Sequence, residues 1–107
     1  VHVWDLARAH VIAVQRFDEI ATADEPYQAI NLGTGSGVTV RELITAFEAV
    51  TGEPLEVVEV DRRPGDQAGA FAIVDRAGDL LGWRAERSTA EGVRDALAWA
   101  QKLRTLG

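Results

Sequence analysis

At 107 residues the chain is long enough to fold as one domain around its own core, because a chain of this size hides well over half of its unfolded surface. Apolar residues make up 47% and charged residues 26%, the balance of an ordinary globular protein, which excludes a disordered, fibrous or coiled-coil chain. The absence of cysteine excludes disulfides and thiolate metal sites and permits a cytoplasmic location. A net charge of -6 offers no basic stripe to a nucleic-acid backbone. No apolar run reaches the length of a membrane span, and the N-terminus has neither the basic nor the apolar region of a leader. The expectations are therefore a cytoplasmic location with no nucleic-acid and no membrane partner. The chain opens on Val1 and contains no Met, which leads us to expect a start inside a longer reading frame.

Leu6, Ala9, Val11, Ile12, Ala13, Phe17 and Ile20 recur at near-helical spacing and predict a helix from Asp5 to about Ala21, with Asp5 as its N-cap. Pro26 ends that stretch, and Tyr27 to Leu32 reads as a short strand. The following Gly33-Thr34-Gly35-Ser36-Gly37 allows a sharp turn or a close backbone approach. Thr39-Val40-Arg41-Glu42 is a capping-box pattern opening a helix whose buried face is Leu43, Ile44, Phe47 and Val50, closed at Thr51-Gly52. Leu55 to Val60 predicts a second strand with a wet face. The charged turn Arg62-Arg63-Pro64-Gly65-Asp66 follows, and then a third short strand, Ala70 to Val74. Asp75 could cap a brief helix ending at Gly82-Trp83. Ser88-Thr89-Ala90-Glu91 is a second capping box, opening a helix that carries Val93, Leu97, Trp99, Ala100 and Leu103.

Few residues are placed to carry chemistry. In the Arg62 to Asp66 turn two permanent cations stand beside a rigid proline, and an arginine fork can take two phosphate oxygens while a nearby carboxylate accepts from sugar hydroxyls. The same residues also fit a solvated turn closed by an internal Arg–Asp pair, and spacing alone leaves both readings open. The glycine run is spaced G-x-G-x-G and its helix begins late, so it fits a structural turn better than the G-x-G-x-x-G of a dinucleotide loop. His2 and His10 have no cysteine or carboxylate partners at metal-ligand spacing, so no metal site is expected. His2 and Asp5 could bond to each other at the start of the first helix. Ser36 and Ser88 lie in a turn and a cap and lack the surroundings of a nucleophile elbow. No complete catalytic constellation emerges.

The order of motifs adds more. Val1-His2-Val3-Trp4-Asp5-Leu6-Ala7, His10, Asn31-Leu32-Gly33-Thr34-Gly35, Arg62-Arg63-Pro64-Gly65-Asp66 and Leu81-Gly82-Trp83 together resemble, in register from Val1 to about Trp99, the C-terminal part of UDP-glucose 4-epimerases of the extended short-chain dehydrogenase/reductase family. The resemblance covers nearly the whole chain but only roughly the last third of a family member. It implies an α/β fold: a small C-terminal substrate-binding lobe, residues 1–107, with few short strands and about four helices, lacking the NAD-binding Rossmann domain. In that family NAD takes a hydride from C4 of a UDP-bound hexose and returns it to the opposite face, with a Ser/Thr and a Tyr-x-x-x-Lys pair assisting. Those catalytic residues would lie outside this chain, since its single tyrosine, Tyr27, is followed by Asn31 where the motif needs lysine.

The resemblance assigns substrate binding to Arg63, on the diphosphate, to Asp66, on the uridine ribose, and to Ala70, where a small residue admits N-acetylated hexoses. Ile73 stands where an aspartate is frequent. The family's second phosphate-binding arginine would precede Val1, so UDP-sugar binding by this chain is expected to be weak or absent, and no cofactor is expected to bind it. The partners implied are a UDP-sugar and a missing N-terminal Rossmann domain, with possible self-association through the face that domain would cover. The alternatives are the substrate lobe of another nucleotide-sugar enzyme, a dehydratase or decarboxylase, or an autonomous non-catalytic binding module.

Overall fold

A computed structural model describes every residue except Ala68. The described residues form four α-helices and one π-helical turn: α1 (Val3–Gln15), α2 (Phe17–Ile20), α3 (Val40–Thr51), the π turn (Ala77–Leu81) and α4 (Thr89–Leu106). They fall into two compact units, one made of Val1–Ser36 with Phe71–Arg87 and the other of Gly37–Ala70 with Ser88–Gly107.

In the first unit the expected helix starts earlier and ends in two pieces. His2, not Asp5, is the N-cap of α1, its Nδ1 accepting from the Trp4 amide at 2.9 Å. At Arg16 the backbone leaves the helical region (φ -107, ψ 14), its amide shared between the carbonyls of Ile12 and Val14, and α2 restarts as a separate turn. The core is Ala9, Ala77, Leu81 and Trp83, with Ile12, Ala13, Ile20, Ile30, Leu32 and Ala85 packed around them. The brief helix expected after Asp75 is present, with Asp75 in its first turn rather than capping it. It widens into the π turn and stops at Gly82 in the left-handed region (φ 63), a conformation that glycine takes without steric cost. The Trp83 amide then reaches back to the Ala77 carbonyl at 3.2 Å, and this reversal carries the Trp83 ring into the core, where 1% of it stays exposed.

In the second unit α3 packs against α4. Thr39 caps α3, its hydroxyl oxygen accepting from the Glu42 amide at 3.0 Å. The reciprocal half of the expected box differs, since the Glu42 carboxylate accepts from the Thr39 hydroxyl. Gly52, at φ 73, closes α3. The box at Ser88 is complete: Ser88 Oγ accepts from the Glu91 amide and the Glu91 carboxylate accepts from the Ser88 amide.

The strands of the expected α/β fold are not formed. Among the described residues Tyr27–Leu32, Leu55–Val60 and 70–74 belong to no helix and no strand. Their β-branched, apolar composition favours the pleated conformation, yet a strand exists only through a hydrogen-bonded ladder with a neighbour. In place of a ladder, a side chain holds the first of them. Arg76 donates to the Ala29 carbonyl at 2.9 Å and to the Gln28 side chain, which ties the 27–32 segment to the residues just ahead of the π turn.

Candidate functional site

The Arg62 to Asp66 turn is built by its own sequence. The Asp66 amide donates to the Arg63 carbonyl at 3.1 Å, Pro64 sits at the second position and Gly65 at the third with φ 87. This is a type II turn, in which proline pre-sets one dihedral and only glycine takes the next at no cost. The Asp66 carboxylate closes it a second time, Oδ2 accepting from the Arg63 amide at 3.1 Å and from Arg63 Nε at 3.4 Å. The structure therefore brings Arg63 and Asp66 together as an ion pair within one turn. The Arg63 side chain is 84% exposed, where such a pair is worth less than about 1 kcal/mol. Ala70 lies in the same unit, exposed, four residues beyond Asp66.

The segment that leads into this turn rests on α3. Glu48 Oε2 accepts from the Leu55 amide at 3.1 Å, and Arg41 NH2 donates to the Glu59 carboxylate. Sequence reasoning missed both contacts. Their only local signal is that Arg41 and Glu48 lie seven residues, about two helical turns, apart and so share a helix face.

The glycine run has a packing explanation. A Cβ on Gly33 would stand 2.8 Å from the Ala72 Cβ, and one on Gly35, which also has φ 81, would stand 3.2 Å from a Val74 methyl. The small residues at 33 and 35 are what let the chain's own 72–74 segment pack this closely. Tyr27 is exposed on the rim of an apolar groove of about 270 Å³ lined by Ala13, Phe17, Ile20, Pro26 and Ile30. His10 Nδ1 donates to the Leu6 carbonyl at 2.7 Å, one turn back on its own helix. Among the described residues no three His, Asp or Glu side chains gather as metal ligands would, and no helix is long and apolar enough to cross a membrane.

Among the described residues Asp5 is the one charged side chain that is buried. It is 1% exposed, and its Oδ2 accepts from the amides of Glu86 at 3.1 Å and Arg87 at 3.0 Å. Arg8 stands 3.7 Å from its Oδ1 and 5.9 Å from the centre of the Trp83 ring. The Trp83 indole donates to the Asp5 carbonyl at 2.9 Å. Burial pushes the carboxyl's pKa up, but the amides of Arg87 and Glu86, with the charges of Arg8 and Arg87, outweigh it and hold the pKa below the usual aspartate value. Asp5 is thus an anchor between α1 and the 86–87 backbone, a role that no local pattern reveals because its partners lie about eighty residues away.

Comparison with known proteins reaches the same group that the ordered motifs suggest. No protein-family profile matches the chain. The chain is 42% identical over 99 residues to the UDP-glucose 4-epimerase of Bacillus subtilis, covering 92% of this chain and 28% of that one. It is 38% identical over 100 residues to UDP-glucose 4-epimerase 2 of Arabidopsis thaliana, covering 94% of this chain and 28% of that one. Its fold superposes with a TM-score of 0.83 on the crystal structure of UDP-glucose 4-epimerase from Bifidobacterium longum in complex with NAD+ and UDP, at 36% identity over 95% of this chain and 29% of that one. This chain is related to the C-terminal part of UDP-glucose 4-epimerases. It spans somewhat over a quarter of the length of these epimerase relatives.

Proposed function

We propose that the chain is the UDP-sugar-binding lobe of an NAD-dependent enzyme that interconverts UDP-glucose and UDP-galactose, residues 1–107 serving as one substrate domain that is catalytically incomplete by itself. The observation that supports this most is the likeness, over 95% of the chain, to an epimerase caught with UDP. The Arg63–Asp66 turn supplies chemistry to match. Its backbone is pre-set by Pro64 and Gly65, so little ordering entropy is lost when a ligand arrives. Arg63 turns Nε toward Asp66, and its two terminal nitrogens can fork onto diphosphate oxygens, a charge-assisted contact stronger than the exposed pair it supplements. The second carboxylate oxygen of Asp66 accepts from ribose hydroxyls.

NAD would supply the hydride acceptor and donor. The chain spans somewhat over a quarter of its relatives, and NAD binding, with the Tyr and Lys machinery, belongs to a Rossmann domain outside these residues. In the complete protein the segments 27–32, 55–60 and 70–74 become the short strands of an α/β lobe. On α1 the exposed Val3, Ala7, Val11 and Val14 form an apolar face that such a domain would cover and that favours self-association without it. The location would be cytoplasmic. The relatives named above are epimerases, and they lend no support to a dehydratase, a decarboxylase or an autonomous module.

Titration calorimetry with UDP tests the site. Weak saturable binding by this chain that disappears in Arg63→Ala is the expected result; a chain that takes up no UDP, or binds it equally well without Arg63, would show that this turn is no half-site by itself. In a complete enzyme carrying this lobe, Ala70→Tyr is expected to remove turnover of UDP-N-acetylglucosamine while sparing UDP-glucose, read as separate kcat/KM values. Equal losses on both substrates would remove Ala70 from the sugar pocket.

A further inference from the structure

We propose that Arg41 and Glu48 are positioning residues for the Arg63–Asp66 turn, acting as a two-point strap that lays the segment carrying the turn along α3. The inference rests on the UDP-binding reading of that turn. Its starting point is the state of residues 56–60: they belong to no helix or strand, and among the described residues none of them bonds its backbone to another backbone group. Something other than a ladder must give the segment a direction.

The two side chains on α3 do so. Glu48 accepts from the Leu55 amide at 3.1 Å, and Arg41 donates to the Glu59 carboxylate. Arg41 and Glu48 are separated by a helical rise of about 10 Å, while Leu55 to Glu59, fully extended, spans about 13 Å. The nearly equal lengths let both anchors engage when the segment runs back along the helix. Leu55 then lies toward the C-terminal end of α3 and Glu59 toward its N-terminal end. The chain leaves the second anchor four residues before Arg63, so the strap fixes where the turn is delivered, whereas Pro64, Gly65 and Asp66 fix its internal shape.

The division of labour makes the strap separable from the turn. Both partners of the Arg41–Glu59 pair are largely exposed, so its removal should cost only a few-fold in the ordered population. The helix keeps its own cap at Thr39 and its glycine stop.

The chain's lack of cysteine permits a direct test. Nitroxides on Ala49→Cys, in α3, and Gln67→Cys, just past the turn, report the distance between them by pulsed electron-spin resonance. A narrow distribution is expected in the parent and a broad one in Arg41→Ala with Glu48→Ala, at unchanged far-UV circular dichroism. Exchanging the charges, Arg41→Glu with Glu59→Arg, should restore the narrow distribution that either reversal alone loses, a rescue that a general packing role would not produce. The unlabelled Arg41→Ala, Glu48→Ala chain should bind UDP about five-fold more weakly.

A distribution as narrow without the strap as with it overturns the proposal, whether or not UDP binds. So does broadening that leaves the UDP affinity of a binding-competent parent unchanged. Broadening in a chain whose parent takes up no UDP supports the strap and defeats the UDP reading instead.

Discussion

Replacing Asp5 by alanine should lower the unfolding free energy by about 3 kcal/mol, because it leaves the amides of Glu86 and Arg87 without their acceptor, each orphaned group costing roughly 1–3 kcal/mol. Urea unfolding followed by helical circular dichroism reads this directly. Asp5→Asn is the discriminating control. An amide oxygen can still accept from Glu86 and Arg87, so it should cost only about 1 kcal/mol, the part contributed by the negative charge.

That difference carries a pH signature. The carboxyl's pKa is lowered in the folded protein, so its charge contributes stability that is present in full above the unfolded aspartate value, about 3.9, and is lost as pH falls through the lower folded value. The advantage of the native chain over Asp5→Asn should therefore be constant near neutrality and vanish in strong acid. An advantage that is the same at pH 7 and in strong acid would show that the buried charge contributes nothing, and an Asp5→Ala chain as stable as the parent would remove the anchor altogether.

Removing the Trp83 ring should cost still more, about 4 kcal/mol for Trp83→Ala. The ring fills the centre of the first unit's core, and a void of its size cannot collapse against Ala9 and Ala77, which are already short. Trp83→Phe should cost about 1–2 kcal/mol, since part of the volume remains while the indole bond to the Asp5 carbonyl is lost. Fluorescence gives an independent reading. Trp4 and Trp99 are 62% and 54% exposed, so the emission shielded from acrylamide should belong to Trp83 alone and be absent from Trp83→Phe. Quenching that is unchanged by the substitution would contradict the burial. Arg8 lies against both the Asp5 carboxylate and the Trp83 ring, so the two alanine substitutions should combine to less than their sum.

The helices and their stops could be read from the sequence because the forces that set them are local. Thr39, Gly52, Ser88 with Glu91, and Gly82 each act within a few residues, and each ends an element where the pattern places it. The type II turn at Arg63 was legible for the same reason: Pro-Gly fixes its dihedrals whatever surrounds it. What failed was every inference needing a distant partner. The three segments expected as strands have strand-like composition but no ladder, and the sequence cannot show whether a neighbour is there to complete one. Asp5 fits the local profile of a cap, yet its acceptors are spent on amides at the far end of the chain, and His2 takes the cap in its place. The glycine run illustrates a middle case. Its need for small residues was plain, whereas the reason, close packing on Ala72 and Val74, required the fold. Arg41 and Glu48 carry no local mark of the segment that lies beside them.

The interleaving of the two units has a practical corollary for anyone dissecting the molecule. The path passes from one unit to the other after Ser36, after Ala70 and again after Arg87, so neither unit corresponds to an unbroken stretch of gene. A single protease nick or stop codon cannot release either one whole: a break after Ser36 parts the first helices from Trp83, and one after Arg87 parts α3 from α4. Trimming this lobe from either end would thus yield two damaged halves rather than a smaller working piece, and a minimal version would have to be made by rerouting the connections.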